Sequence, residues 1–279
     1  MLNIIRSDLY RLGKGAAVRN TVIGILATVL LLGLTYFTLT SDGLQVYIDD
    51  AAAGAVASED WAELSKDMAG MQTIIPANAS EFGREMAATN YLAFFLLPLI
   101  ITIFCADFSA GAYRNTLTYE SSRAKVYLAK LTLSVLGCIA LSLINLVFSW
   151  IVGGFLFGMS GFTAEYLLQM LVTLLLLFPV QLGLIGFGHC VVAFTKKSST
   201  TVAIFLVAPT LLSAAFQMLS LLPTFSWLPL LDWNSVGSWL AAYWTMSGGE
   251  IFLAVGSGLA VAAVSTALGL AHYRKADMA

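Results

Sequence analysis

The polar side chains of residues 107–130 are the ones in this sequence best suited to binding a partner. Two sets of three share the helical spacing i, i+4, i+7: Asp107, Gly111 and Arg114, then Arg123, Tyr127 and Lys130. This spacing places each set on one helix face. With the polar link YESS between the sets, it predicts a helix, a turn and a second helix, which together offer a rigid surface to a soluble partner. An ordinary basic loop is the alternative interpretation.

Catalytic patterns are missing from the sequence. It has two histidines, His189 and His272, and it has no H-E-x-x-H, no G-x-S-x-G and no Cys–His cluster. The phosphate-binding loop G-x-x-x-x-G-K-S/T is missing as well. We therefore predict a protein that is not an enzyme and holds no metal or cofactor of its own. His189 is expected to form a hydrogen bond to a neighbouring helix.

The rest of the chain is strongly apolar. Of its 279 residues, 59% are hydrophobic and 11% are charged, and the mean hydropathy of +0.85 is typical of an integral membrane protein. A helix needs about 20 apolar residues to cross a bilayer. Six continuous runs are long enough: 20–40, 90–106, 131–156, 167–194, 200–222 and 251–271. We predict an all-α polytopic membrane protein with a single transmembrane domain over residues 1–279.

The basic residues lie almost entirely on one side of these predicted spans. Twelve of the fourteen Lys and Arg flank the spans on that side, and only Lys66 and Arg84 lie on the other. The positive-inside rule therefore places both termini and residues 107–130 in the cytoplasm.

Two segments are predicted on the opposite side of the membrane. Residues 41–89 form an acidic extracellular loop with nine acidic residues against two basic ones, which either attracts cationic peptides or simply stays solvated. Residues 223–250 contain four tryptophans: Trp227, Trp233, Trp239 and Trp244. Because tryptophan favours the headgroup region, this segment is expected in or dipping into the outer interface. A short re-entrant hairpin is the second possible arrangement, and it requires that protein or water cover its broken backbone.

The N-terminal residues 1–19 are predicted to form an amphipathic helix on the inner membrane surface. Apolar residues recur at helical spacing while charged residues occupy other positions: Leu2, Ile5, Leu9 and Leu12 against Arg6, Asp8 and Arg11. The alternative is a charged anchor that fixes the topology.

The carboxylates near the spans are predicted at membrane boundaries. Asp107 lies at an inner boundary, and the others lie in or near outer loops: Glu165, Asp232 and Glu250. Carriers driven by protons or sodium usually need an ionisable residue or an unwound ion site near the membrane centre. This distribution therefore weakens the interpretation as a secondary transporter.

Together these features resemble the ABC-2 type permeases, the membrane subunits of mostly exporting ABC transporters. The resemblance is carried by six residues around the second and third spans: Asp107, Gly111, Arg114, Ser122 with Arg123, and Lys130. The start LNIIRSDLYRL is similar to those of small bacterial permeases linked to bacitracin resistance and lantibiotic self-protection. In two details the sequence departs from many relatives, with Ala112 in place of a threonine and no proline near Glu120.

The resemblance implies a six-span transmembrane domain of the type V exporter kind in the bacterial cytoplasmic membrane. It implies a dimer with a second copy or a paralogous permease, and two ABC ATPase subunits that bind ATP and Mg²⁺. The residues implied in coupling to the ATPase are Asp107, Gly111, Arg114, Asn115, Ser122, Arg123, Tyr127 and Lys130. A peptide, antibiotic or other amphipathic compound is the implied cargo, and no nucleic acid is expected. An ion-driven carrier and a membrane scaffold or sensor subunit remain the alternatives.

Overall fold

The computed structural model describes residues 2–40, 76, 78–88, 92–105, 122–233 and 236–275, and within these ranges it contains helices and no strand. Five helices in these ranges are long and apolar enough to cross a membrane. They are α2 (Ala16–Thr40), α5 (Arg123–Phe157), α6 (Ala164–Thr195), α7 (Ser198–Ser220) and α9 (Gly248–Lys275). The protein thus has the transmembrane helical character of a multi-pass membrane protein.

The predicted N-terminal helix is divided by a glycine. Helix α1 covers Leu2–Lys14 and ends where the Gly15 amide donates a hydrogen bond to the Leu12 carbonyl, 3.1 Å away. Helix α2 begins immediately afterwards, so residues 16–19 belong to the long apolar helix. The buried side chains of α1 are Asp8 and Leu12, while Leu9 is 50% exposed. The face of α1 that packs against the other described helices is therefore partly polar.

Within the second predicted span, 90–106, the described residues form a helix shorter than the other long helices. Helix α4 (Leu92–Ile100) continues into a π-helix (Ile101–Cys105), and the two together rise about 21 Å, less than the roughly 30 Å of a hydrocarbon core. Pro98 lies within α4. Because a proline has no amide hydrogen to donate, it weakens the regular ladder immediately before the π-helix.

Part of the predicted acidic loop belongs to the helical core. Residues 79–88 form helix α3 (Ala79–Ala88), which buries Phe82 and Met86. Its contacts run antiparallel to α5: Ala79 packs on Gly153, and Asn145 donates a hydrogen bond to the Met86 carbonyl at 3.4 Å.

Helix α4 continues along α5 in the same direction as α3. Leu99 packs against Gly137, and Lys130 donates a hydrogen bond to the Ile103 carbonyl. Together α3 and α4 therefore follow α5 from Gly153 to Lys130, a length of about 35 Å.

Helices α6 and α9 approach each other through glycines. A Cβ atom added at Gly183 would lie 3.0 Å from the Gly258 carbonyl oxygen, and one added at Gly258 would lie 2.7 Å from the Pro179 carbonyl oxygen. Small residues of this kind let two helix backbones pack closely where no hydrophobic effect drives the association. This pair of helices forms the centre of the C-terminal half of the bundle.

The segment between α7 and α9 folds back into the bundle. It consists of short helical turns, among them a 3₁₀ turn (Leu228–Leu231) and helix α8 (Val236–Ala241). Trp233 lies with its ring centre 5.8 Å from that of Phe187 on α6, and Val236 and Leu240 pack with Leu177 and Ala254. The segment thus returns into the helix bundle, and its described residues, 221–233 and 236–247, are called the re-entrant segment below.

Candidate coupling site at the basic end of the bundle

Half of the predicted ATPase-coupling residues fall in the described part of the chain. Asp107, Gly111, Arg114 and Asn115 lie outside the described residues. Ser122, Arg123, Tyr127 and Lys130 lie at the start of α5, where Ser122 is the residue immediately before the helix. This end of the bundle, which also contains α1, the π-helix and the C-terminus of α9, is called the basic end below.

Arg123 connects the start of α5 to the end of α9. Its Nη1 donates a hydrogen bond to the Arg274 carbonyl oxygen at 3.2 Å. Arg274 lies in the last turn of α9, where carbonyl groups have no intrahelical partner and where a positive charge complements the helix dipole. Arg123 thus provides a hydrogen-bond donor to a carbonyl group at the end of α9, and its side chain is only partly buried.

Lys130 lies inside the protein. The residue is 1% exposed, and its Nζ donates a hydrogen bond to the Ile103 carbonyl oxygen at 2.8 Å and contacts Asp8 Oδ2 at 3.3 Å. Asp8 itself is 7% exposed. A buried ammonium group is tolerated only when opposite charge and oxygen acceptors replace its water. Lys130 therefore makes these contacts within the chain and does not lie on the surface of the described residues.

Arg11 completes this polar cluster from α1. Its Nη2 lies 3.3 Å from Asp8 Oδ1 and donates to the Thr102 carbonyl oxygen at 3.3 Å. Thr102 and Ile103 belong to the π-helix. Two cations from different helices therefore bind carbonyl oxygens of the π-helix, and Asp8 binds both cations.

Tyr127 packs in a buried aromatic group next to this cluster. Its ring centre lies 5.6 Å from Phe104 and 5.5 Å from Tyr273, and His189 packs on the same group. His189 Nε2 is 2.8 Å from Ser134 Oγ, which confirms the predicted hydrogen bond to a neighbouring helix. The aromatic group joins the π-helix to α5, α6 and α9, so the start of α5 is fixed on several sides.

The surface of the basic end carries a dense positive charge. Exposed basic side chains here include Arg6, Lys14, Lys125, Lys197 and Lys275. Within the described ranges, Asp8 is the single carboxylate at this end, and it is buried. The exposed surface therefore suits an acidic partner or anionic headgroups.

Three of the four predicted outer tryptophans lie at the opposite end of the bundle. Trp227, Trp239 and Trp244 are exposed, whereas Trp233 is half-buried and packs on Phe187 inside the bundle. The guanidinium of Arg84 lies 4.9 Å from the ring centre of Trp244, a cation–π distance. Three tryptophans thus fit an interfacial position, and Trp233 instead fixes the re-entrant segment to α6.

One carboxylate lies deeper than the sequence predicts. Asp232, expected in or near an outer loop, is 2% exposed, and its Oδ2 accepts a hydrogen bond from Ser213 Oγ on α7 at 2.8 Å. Because the re-entrant segment carries Asp232 back into the bundle, a residue between two spans in sequence becomes a buried acid. An ionisable group buried in a membrane protein is by default a candidate functional group.

No group of three or more His, Cys, Asp and Glu side chains that could hold a metal ion occurs within the described residues. Comparison of the chain with protein-family models, with curated proteins and with solved structures returned no match.

Proposed function

We propose that this chain is the membrane-spanning permease subunit of an ATP-driven ABC transporter that exports a peptide, an antibiotic or another amphipathic compound. The observation that carries the proposal is the ABC-2-like motif, together with the positions of its described residues. Ser122, Arg123 and Lys130 lie at the start of α5, directly after residues 106–121 in sequence, at the basic end. A soluble partner bound to that segment acts directly on α4 and α5.

In the proposed mechanism the partner's motion reaches the membrane through rigid helices. Helix α5 has 35 residues and is about 52 Å long, enough to cross the bilayer and extend beyond it. ATP-driven closure of two partner ATPases displaces the start of α5 and thereby shifts the packing of the spans between inward- and outward-facing arrangements. We place the cargo path between the second and fifth spans of two permease subunits.

The second of the six proposed spans is made of two helices. The described residues of α4 and its π-helix rise less than the thickness of a hydrocarbon core, and α3 continues the same antiparallel path along α5. The polar face of α3 is tolerated because the helix is packed against protein, where broken or polar segments at membrane depth are permitted. With α3 and α4 counted as one crossing, both termini lie on the basic, cytoplasmic side.

Co-purification tests the proposed function. Tagged protein is extracted from its native membrane in a mild detergent, and the proteins that co-purify are identified by mass spectrometry. We expect an ABC ATPase, and we expect Arg114→Ala with Arg123→Ala to remove it while the exposed neighbour Lys125→Ala, as the matched control, retains it. Repeated recovery of intact protein without an ATPase would contradict the proposal.

A secondary transporter is the second candidate, and buried Asp232 is the observation that favours it. Purified chain alone is reconstituted into vesicles, and proton or sodium entry is followed under an imposed membrane potential. An ion-coupled carrier would show flux that is lost in Asp232→Asn and kept in Glu250→Gln, because Glu250 is fully exposed at the start of α9. Flux no greater than in protein-free vesicles would rule this candidate out.

A further inference from the structure

We propose that Lys130 is a positioning residue which, together with Asp8, fastens helix α1 to both ends of the segment 106–121. The N-terminal helix then moves with that segment and takes part in coupling. The inference rests on the proposed function for the source of the movement, an ATPase bound to the segment. The attachment itself follows from the contacts of the described residues.

The contacts join three parts of the chain that are far apart in sequence. Lys130 lies 122 residues from Asp8 and 27 from Ile103, and its Nζ binds both. The π-helix that contains Ile103 ends at Cys105, directly before the segment, and Lys130 lies in the second turn of α5, directly after it. Lys130 therefore bonds the two flanks of the segment to each other as well as to α1.

Arg11 gives α1 a second contact with the same flank. Its guanidinium reaches the Thr102 carbonyl oxygen and Asp8 Oδ1. A displacement of the π-helix end therefore acts on α1 at two points, through Arg11 and through the Lys130 and Asp8 pair. Both contacts are charge-assisted, which makes them stronger and more directional than ordinary hydrogen bonds.

The helix that precedes the segment 106–121 is a π-helix, a form suited to a change of conformation. π-Helices are rare, strained turns that occur preferentially at functional sites. Here the π-helix follows Pro98, and its Thr102 and Ile103 carbonyls bind cations on other helices. A lengthening or shortening of this turn would move Ile103 relative to Lys130 and so change the position of α1.

The outward side of α1 leaves the helix room to follow such a motion. Tyr10 is 71% exposed and Leu9 is 50% exposed, whereas Asp8 and Leu12 are buried against the bundle. The fixed side of α1 is thus narrow and contains the ion pair. Loss of the ion pair is expected to release the helix without disturbing the packing of the long spans.

The closing experiment uses a double replacement, Asp8→Leu with Lys130→Met. Removing one member of a buried ion pair leaves the other charge unpaired, whereas replacing both with apolar residues is often neutral for stability. The matched control is Arg19→Met, because Arg19 is an exposed basic residue on α2, outside the basic surface described above. The permease is studied in its co-purified complex with the ATPase.

Two readouts test the inference. Hydrogen–deuterium exchange of residues 2–14 is expected to become about tenfold faster in the double variant and to stay unchanged in the control. The number of cargo molecules transported per ATP hydrolysed is expected to fall about tenfold, with ATP hydrolysis retained. Unchanged exchange of α1, or unchanged transport per ATP, would overturn the inference.

The failure of the inference can be told apart from failure of the proposed function. If wild-type protein recruits no ATPase, the proposed function fails, and the exchange measurement alone then decides whether the ion pair fastens α1. If the complex forms and transports cargo, but the double variant matches wild type in both readouts, only the inference fails.

Discussion

At the scale of residues, the structure buries three charged side chains that the sequence predicts on a surface or in a loop. The sequence predicts Asp8 on the charged face of the N-terminal helix, Lys130 on the surface offered to a partner, and Asp232 in or near an outer loop. The structure buries all three and gives each a polar partner on another element. Buried charges of this kind fix the arrangement of helices, because each is costly unless its particular partner is in place.

The hydrogen bond between Ser134 and His189 allows a residue-scale prediction. Both side chains are fully buried, and their polar atoms are 2.8 Å apart. Ser134→Ala leaves the His189 Nε2 without this partner, and we expect it to lower the free energy of unfolding by about 1–3 kcal/mol. Unfolding in detergent micelles, followed by circular dichroism, measures this loss.

Two further variants separate this bond from the general effect of mutation in α5. Thr132→Ala is the matched control, since Thr132 is exposed and donates only a local bond to the Leu128 carbonyl; we expect a change within about 0.5 kcal/mol. Ser134→Ala with His189→Leu removes both polar groups and is expected to regain part of the loss. A loss no larger than that of the control would show that the bond contributes little.

At the scale of elements, the close approach of α6 and α9 depends on glycine at defined positions. Gly258 faces the α6 backbone at Pro179 and Val180, whereas Gly256, half a turn away, has no atom within 4 Å of an added Cβ. The two glycines therefore provide a matched pair on one helix.

The predicted effects of alanine at these two positions have opposite signs. Gly258→Ala places a methyl group 2.7 Å from a backbone oxygen that cannot move independently, and we expect a loss of about 1–3 kcal/mol as the helices separate. Gly256→Ala is expected to be neutral or to gain about 0.5–1 kcal/mol, because alanine is the better helix former. Thermal unfolding of the two variants checks this; equal effects would contradict the observed packing.

At the scale of the whole molecule, the two ends of the bundle differ in chemistry. One end exposes basic side chains around α1, α5 and α9, and the other exposes tryptophans together with a re-entrant segment that returns between α6 and α7. The long helices connect these ends. A partner bound at the basic end can therefore influence the re-entrant end through rigid elements, which is the arrangement that the proposed permease requires.

The sequence by itself determined the class of the protein and five of its long helices. The length of an apolar run is a local property, and a chain in lipid satisfies its backbone groups by forming a helix over that run. The charge asymmetry and the candidate coupling segment could also be recognised in the sequence, because each depends on residues that are close together in the chain. The helix predicted over residues 123–130 also forms, since α5 begins at Arg123 and continues without interruption through the predicted span 131–156.

Only the tertiary structure decided which polar residues are buried and what they bind. The partners of Lys130 and Asp8, the path of α3 along α5 and the depth of Asp232 all depend on segments that are distant in sequence. Hydrophobic periodicity carries no information about such pairings, because a charge is stable in the interior only when folding brings a complementary group to it.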